Sequence, residues 1–316
     1  MSANFSSISR RRFLLTTLAF SAGTFLFPKP GFATIKKTDS ETFALLSDIH
    51  ISGDSTTRKH GVNMTDNLKT TLKQYFSKAD KPSFLLISGD LANRIGEPYD
   101  YKAVKNLLQP VVDEGVPVYY VMGNHDRRQN YLNAFYSTHP AELVPGKYVQ
   151  IVRTAFADWY LLDSKQVEHV TRGRLEKEQL NWLSAELDKR PEKPAIMVLH
   201  HDPYSPKQSK KAGLEDTEEF LNIIRPRSQV KACIYGHTHR YELLQDPSGI
   251  HFINVPSVAY SFTSAPIGWV QAKLKRDGIH LELKTTDTNN ELNGKSVTLK
   301  WRLSKSETSP VGKPKK

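Results

Sequence analysis

Short apolar runs alternate with helix-like segments between residues 42 and 285. The apolar runs predict strands, and the last two are rich in Ile, Val, Leu and Met; they cover residues 42–47, 83–88, 116–122, 195–199 and 232–235. Continuous apolar runs of this length are typical of strands that are buried on both faces. Helical patterns lie between them, at residues 67–79, 101–109, 175–189 and 217–224. The alternation predicts an α/β layered fold.

The remaining apolar segments have a hairpin pattern. One predicted hairpin joins residues 148–153 to 159–162, and a second joins 269–274 to 279–283 around Asp277-Gly278, a strong turn dipeptide. A final short strand is expected at residues 297–303. The polar tail that follows, residues 304–316, is expected to be disordered.

Polar side chains of one chemical kind follow the predicted strands. Five apolar runs end in Asp, His or Asn, and these residues are Asp48 with His50, Asp90, Asn124 with His125, His200 with His201, and His237 with His239. A single Asp after a strand is most often a turn residue. In α/β sheets, however, binding sites form where loops from several strand ends converge. Five endings drawn from the metal-binding residue types therefore predict a metal site.

The donor set indicates which metals the site would take. Three carboxylate or amide groups and four imidazoles suit Mn, Fe or Zn. Seven ligands are too many for one tetrahedral ion and fit two ions of higher coordination that share a bridge. In the stretch IYGHTHRYE, residues 234–242, an extended chain would place His237 and His239 on the same face. Gly236 beside them would let the backbone turn close to the metals.

The N-terminus has the pattern of an export signal. A basic stretch at residues 9–12 precedes an uncharged apolar run at residues 14–27 and a small-x-small site that ends at Ala33. The run is shorter than the roughly 20 apolar residues of a membrane span. The string S-R-R-x-F-L is similar to the twin-arginine (Tat) export signal, which implies the Tat machinery as a partner and a periplasmic or secreted location. Cleavage is expected after Ala33, with a retained N-terminal anchor as the alternative.

Charge and cysteine content argue against a nucleic-acid-binding protein and against a protein stabilised by internal disulfides. The net charge is +11, but the predicted signal carries four of these charges and the tail a net three, which leaves about +4 on residues 34–303. That body has no Lys/Arg block of the kind that tracks a nucleic-acid backbone. Cys233 is the only cysteine, so an internal disulfide is excluded, and its apolar neighbours predict a buried thiol.

The ordered motifs resemble one superfamily. They are D-x-H at residues 48–50, G-D at 89–90, G-N-H-D at 123–126, a strand-end His200 and G-H-x-H at 236–239. This set resembles the calcineurin-like metallophosphoesterases over about residues 42–285, and is most similar to the class III cyclic-nucleotide phosphodiesterase group of small bacterial enzymes. The resemblance implies a four-layer α/β/β/α sandwich with mixed sheets over residues 34–303. It also implies a metal-dependent hydrolase of small-molecule phosphoesters, expected to be a phosphodiesterase.

The resemblance further implies a role for each motif residue. The first metal would be held by Asp48, His50 and His239, the second by Asn124, His200 and His237, and Asp90 would bridge both. A bridging hydroxide would attack phosphorus in line, and His125 would donate a proton to the leaving oxygen.

Three nearby residues have two alternative roles each, and a fourth argues against one type of metal site. Asp126 would either orient the imidazole of His125 or serve the turn, and Arg94 is either a phosphate contact or a solvated surface residue. His201 is expected near the substrate or behind the ligands. Asn93 stands where purple acid phosphatases have a metal-binding tyrosine, so a charge-transfer iron(III) site is not expected.

Two other functions remain open at this stage. The same metal core serves phosphomonoesterases and nucleotidases, and a non-catalytic metal-binding interaction protein is a rival from another class. The loops that would cover the site, at residues 52–65, 127–145 and 203–215, are polar and give no fold prediction. Folding before export would also favour cytoplasmic loading with Mn or Fe, because metal binding is coupled to folding.

Overall fold

A computed structural model describes most of the chain. It covers residues 40–77, 81–136, 143–168, 170–204 and 212–303. All of them belong to one compact unit that begins at Asp39. The predicted signal at residues 1–33 and the predicted tail at 304–316 lie outside the described residues, so both stay predictions.

The first sheet has six strands and mixed direction. In spatial order they are β14 (Ser296–Lys300), β13 (Gly278–Thr285), β12 (Gly268–Lys275), β1 (Glu41–Leu46), β4 (Phe84–Ser88) and β5 (Val118–Val121). The strands β1, β4 and β5 are parallel, and the β12–β13–β14 meander joins β1 antiparallel. The strands that carry the predicted ligands thus lie side by side and end at one edge of the sheet.

The second sheet repeats this plan. Its spatial order is β10 (Glu242–Gln245), β11 (His251–Asn254), β9 (Val230–Tyr235), β8 (Ala195–Val198), β7 (Asp158–Leu161) and β6 (Gln150–Arg153). The four central strands are parallel, and β10 and β6 pair antiparallel at the two edges. A separate small hairpin joins β2 (Arg58–Lys59) to β3 (Val62–Asn63).

Helices cover the outer faces of both sheets. The helices α1 (Met64–Phe76), α2 (Pro98–Asp113) and α3 (Arg128–Phe135) pack on the first sheet, and α4 (Lys177–Asp188) and α5 (Thr217–Ile224) pack on the second. A third apolar cluster, which includes Phe43, Trp159 and Ile234, fills the space between the sheets. The predicted layered α/β fold with mixed sheets is confirmed. Cys233 is buried as predicted, and no helix among the described residues is long and apolar enough to cross a membrane.

Local signals explain where the helix ends differ from the predictions. The helix α1 begins at Met64 because the side chain of Asn63 accepts a hydrogen bond from the N–H of Asp66 at 3.1 Å. The helix α2 begins at Pro98, behind a capping box formed by Glu97 and Asp100. The helix α3 was not predicted, because Tyr131 is its one buried residue and an apolar stripe is missing.

Candidate metal centre

The predicted ligands follow five parallel strands and converge between the two sheets. Those that follow β1, β4 and β5 come from the first sheet, and those that follow β8 and β9 come from the second. Backbone hydrogen bonds join the loops that follow neighbouring strands of each sheet. His50 N–H donates to Asp90 O at 3.0 Å, and Gly236 N–H donates to His200 O at 3.1 Å. The site is therefore built by both halves of the sandwich.

The ligand atoms are spaced as they would be around metal ions. The Nε2 atom of His239 lies 3.1 Å from Nε2 of His50 and 3.3 Å from Oδ1 of Asp48. The Nε2 atom of His200 lies 3.2 Å from Nδ1 of His237 and 3.3 Å from Oδ1 of Asn124. Two ligands about 2.1 Å from one ion, at angles of about 90–110°, are about 3.0–3.4 Å apart. These spacings fit the edges of a coordination polyhedron.

Three overlapping groups can each hold an ion. They are Asp48 with His50 and His239, His50 with Asp90 and His125, and Asp90 with His200 and His237; within each group the ligand atoms lie within 4.8 Å of one another. Neighbouring groups share a residue. The described residues thus form a continuous candidate metal-binding cluster.

Hydrogen bonds behind two imidazoles set which ring nitrogen faces the site. The Nδ1 atom of His200 lies 2.8 Å from Ser88 O, and Nδ1 of His239 lies 2.7 Å from Tyr260 O. A carbonyl oxygen only accepts, so each Nδ1 carries a proton and Nε2 is the ring nitrogen that faces the cluster. Both rings are therefore oriented as a metal ligand needs.

Asp48 provides a direct test of whether a cation fits. Its Oδ2 atom accepts hydrogen bonds from Ser47 Oγ at 2.5 Å and from His237 N–H at 3.0 Å. Its Oδ1 atom is fully buried and has no hydrogen-bond partner among the described residues. A buried carboxylate oxygen that accepts no hydrogen bond is costly, and a cation bound between Asp48 and His239 would remove that cost. The donor set and this buried oxygen both fit a bound metal.

The electrostatics of the cluster also fit bound cations. Burial acts to lower the pKa of His200, but Asp90 and Asp48 outweigh it and raise that pKa to about 9. Two buried carboxylates thus draw a positive charge onto a neighbouring ring. Burial lowers the pKa of His50 to about 3 and, together with His200, that of His237 to about 4. Those two rings are neutral at pH 7 and can donate lone pairs.

Unusual backbone conformations are concentrated at the predicted ligands. Among the described residues, seven that are not glycine have positive φ, and five of these are Asp48, His50, Asp90, His237 and His239. Left-handed backbone costs about 1–2 kcal/mol for most residues and clusters at functional sites. The prediction that His237 and His239 share one face of an extended strand is wrong. The strand β9 ends at Tyr235, and two left-handed turns bring each ring to a different part of the cluster.

A cleft of about 240 Å³ adjoins the cluster. Its lining consists of Arg94, Ile95, Asn124, His125, Glu168, Val170 and Thr171. The imidazole Nδ1 of His125 lies 2.7 Å from Arg94 O, and its backbone N–H donates to Asp90 Oδ1 at 2.8 Å. The structure thus places His125 and Arg94 together, beside Asn124, where a substrate can reach them.

Asp126 and His201 lie behind this surface. The buried carboxylate of Asp126 accepts hydrogen bonds from the N–H groups of Leu91, Ala92 and Gly123 and from the hydroxyl of Tyr101. These bonds tie together the loops after β4 and β5, whereas the ring of His125 contacts the Arg94 carbonyl. His201 is fully buried, with Nδ1 2.8 Å from Ser164 Oγ and its ring 4.8 Å from that of His237. It supports His237 from behind and does not line the cleft.

Three supporting residues had no signal in the sequence. Ser88 and Tyr260 orient His200 and His239 through backbone carbonyls, which any residue can supply. The ring of Tyr260 also stacks on His50, with centroids 5.1 Å apart. The buried Lys165 places Nζ 3.3 Å from the carbonyl of Asn124. None of these residues belongs to a motif, so only the folded chain identifies them.

Mixed sheets between helical layers, with a candidate metal-binding cluster at the strand ends, are the features of an α/β metallohydrolase. The chain belongs to the calcineurin-like phosphoesterase family, whose model matches residues 41–241. The protein is accordingly a phosphoric ester hydrolase, and the predicted family is confirmed.

Curated relatives agree with this assignment, and a solved structure agrees with the fold. The chain is 26% identical over 228 residues to a 3′,5′-cyclic-nucleotide phosphodiesterase of Nostoc sp., covering 71% of this chain and 80% of the relative. It is 26% identical over 253 residues to a 3′,5′-cyclic adenosine monophosphate phosphodiesterase of Haemophilus influenzae, covering 76% and 88%. A dimetal phosphatase from Danio rerio matches with a TM-score of 0.66 at 15% identity, over 84% of this chain and all of that one. This last similarity concerns the fold alone.

Proposed function

We propose that this protein is a phosphodiesterase that binds two metal ions and accepts cyclic nucleotides. One observation carries the dinuclear assignment, namely that Oδ2 of Asp90 lies between two groups of ligands. It is 3.8 Å from Nε2 of His50 and 3.4 Å from Nε2 of His200. The names of the relatives from Nostoc sp. and Haemophilus influenzae support the substrate class.

The ligands divide into two sets around Asp90. Asp48, His50 and His239 would hold one ion, and Asn124, His200 and His237 would hold the other. Asp90 would contribute to both. When bound, the two ions supply the Lewis acidity that polarises a phosphoryl oxygen and lowers the pKa of water. Manganese, iron or zinc would suit the mixed nitrogen and oxygen donors.

The side chains of the cleft would bind the substrate and supply a proton. Arg94 and the amide of Asn124 lie where they can contact phosphate oxygens, and His125 can protonate the leaving oxygen when both of its ring nitrogens carry protons. Glu168 also lines this cleft, and its carboxylate is paired with Nζ of the buried Lys165 at 3.2 Å.

Substitution of Asp90 tests the proposal. The purified protein should hydrolyse 3′,5′-cyclic AMP and bis(p-nitrophenyl) phosphate when Mn²⁺ or Fe²⁺ is supplied, with two metal ions bound per chain. Asp90→Ala should abolish the activity and reduce the metal content, whereas Asp277→Asn, in the exposed β12–β13 turn, should leave both unchanged. Normal activity of Asp90→Ala would refute the proposal.

We also propose that residues 1–33 direct Tat-dependent export of the folded protein to the periplasm. The supporting pattern is the twin-arginine-like string followed by a short apolar run. Folding before export would load the metals in the cytoplasm. Metal analysis of protein recovered from the periplasm should find Mn or Fe, and a fully zinc-loaded site would count against the idea.

A further inference from the structure

An aromatic surface extends from the metal ligand His239 to the solvent. It consists of His60, Tyr260 and Phe262, and we call these three residues the aromatic platform. The ring of Phe262 lies 4.7 Å from that of His239 and 5.3 Å from that of His60, and His60 lies 4.8 Å from Tyr260. Phe262 is 62% exposed. The platform therefore presents aromatic area to the solvent directly beside the metal centre.

The turn of the hairpin that carries His60 has a positive φ at a residue that is not glycine. The strands β2 and β3 are joined by His60-Gly61, with φ of +50° and +79°. Positive φ at both central residues is the pattern of a type I′ turn, which favours Asn or Gly at the first position. The positive φ is less favourable for histidine than for Asn or Gly, but the histidine ring contacts those of Tyr260 and Phe262. Strained positions of this kind are concentrated at functional sites.

A positive charge accompanies the platform. The Nζ atom of Lys59 lies 4.8 Å from the centroid of the Tyr260 ring, in cation–π geometry. Burial lowers the pKa of Lys59, the negative charge of Asp90 opposes that change, and the positive charge of Arg94 adds to it. Aromatic faces next to a cation suit a ligand that has both a flat ring and an anionic group.

We propose that the aromatic platform is a subsite for the nucleobase of a nucleoside phosphodiester, with Lys59 balancing the charge of the phosphate. In a nucleotide the sugar separates the base from the phosphate. In the protein, Phe262 contacts the ring of His239, whose Nε2 faces Asp48 in the metal-binding cluster. Removing one aromatic partner of a base typically weakens binding about 5- to 150-fold. This inference rests on the proposed phosphodiesterase function and names the substrate class of that site.

Two substrates with the same leaving group test the subsite. Thymidine 5′-(p-nitrophenyl phosphate) and methyl p-nitrophenyl phosphate both release p-nitrophenolate, but only the first carries a base. Phe262→Ala should lower the ratio of their kcat/KM values about tenfold, and Phe262→Trp should restore it. His60→Asn keeps a residue that the turn favours and should also lower the ratio. Phe76→Ala removes an exposed aromatic ring at the end of α1 and serves as the control, with the ratio unchanged.

The outcomes separate the subsite from a purely supporting role of Phe262. An equal loss on both substrates would show that Phe262 acts only through His239 and would overturn the inference, as would an unchanged ratio. Binding of thymidine 5′-monophosphate and methyl phosphate to the metal-loaded protein, measured by calorimetry, gives the same ratio without turnover. If neither ester is hydrolysed but the ratio of binding constants still falls in Phe262→Ala, the proposed activity fails and the subsite stands.

Discussion

The backbone N–H of His237 donates a hydrogen bond to Oδ2 of Asp48 at 3.0 Å, across 189 positions of sequence. Asp48 follows β1 of the first sheet and His237 follows β9 of the second, so this bond joins the two sheets at the metal centre. This hydrogen bond requires the backbone at Gly236 to lie close to Ser47 and Asp48. A Cβ atom there would lie 1.8 Å from Ser47 Oγ and 2.6 Å from Asp48 Oδ2.

Gly236→Ala should therefore loosen the junction of the two sheets. Relief of the overlap moves Ser47 and Asp48, which should lower the free energy of unfolding by about 1–3 kcal/mol. The same movement displaces the carboxylate that faces His239, so less metal should be bound. Urea unfolding of the metal-free protein and elemental analysis of the metal-loaded protein measure the two effects.

Gly115→Ala is the matched control for this substitution. Gly115 has a φ of +77° and no atom of the described residues within 4 Å of an added Cβ, so the change adds backbone strain without a collision. It should cost about 1–2 kcal/mol and leave the metal content unchanged. If Gly236→Ala binds as much metal as the wild-type chain, the close approach is not needed for the site.

Removal of the metals should lower the melting temperature. A ligand that binds only the folded state stabilises it by about 2.7 kcal/mol when its concentration is 100 times its Kd. In a domain of this size, each kcal/mol of stability shifts the melting temperature by about 2–4 °C. A chelator should thus lower the midpoint by about 5 °C or more, and added Mn²⁺ should restore it. The shift should be smaller in Asp90→Ala. Complete metal removal with no change in the midpoint would argue against a folded-state metal site.

Most central strands and the residues of the candidate metal-binding cluster were predictable because their signals are local. The apolar run of β9 and the polar residues just after it are adjacent in sequence, and the same holds for β1, β4, β5 and β8. The edge strand β10 and its inner neighbour β11 were not predicted. The first of these is partly exposed along its length, so it has no buried run to recognise.

Features that depend on tertiary contacts had no such signal. The way His237 and His239 point is set by left-handed turns, which the loop can adopt because it is bonded to Asp48 of the other sheet. The aromatic platform joins a hairpin at His60 to a loop at Phe262. Its parts are distant in sequence and none of them belongs to a motif, so only the packing of the chain brings them together.

Asp246 should make the stability depend on pH far from the metal centre. Burial acts to raise the pKa of its carboxyl, but hydrogen bonds from Ser248 and Arg225 outweigh this and hold the pKa below the usual range. Because the folded state favours the ionised form, its contribution is complete above about pH 4 and is lost as the pH falls through the lowered pKa. Asp246→Asn should cost about 1 kcal/mol at pH 6 and flatten the decline below pH 4.

Urea unfolding of the metal-free protein between pH 3 and 6 checks this prediction. The ligand carboxylates are the same in both chains, so their titration largely cancels in the difference between variant and wild type. Asp277→Asn, in the exposed turn between β12 and β13, provides the control and should leave the curve unchanged. Parallel curves for Asp246→Asn and the wild type would contradict the role assigned to Asp246.

The role of His125 depends on how good the leaving group is. Its ring lies in the cleft with Nδ1 held 2.7 Å from Arg94 O, so the imidazolium form can donate its other proton to a leaving oxygen. His125→Asn should reduce hydrolysis of 3′,5′-cyclic AMP, which has a poor alkoxide leaving group, by about 10²- to 10⁴-fold. Hydrolysis of bis(p-nitrophenyl) phosphate should fall much less, because p-nitrophenolate leaves without a proton. Arg94→Ala should instead raise KM for both substrates. An equal loss of kcat on both substrates in His125→Asn would show that the imidazole positions the substrate without transferring a proton.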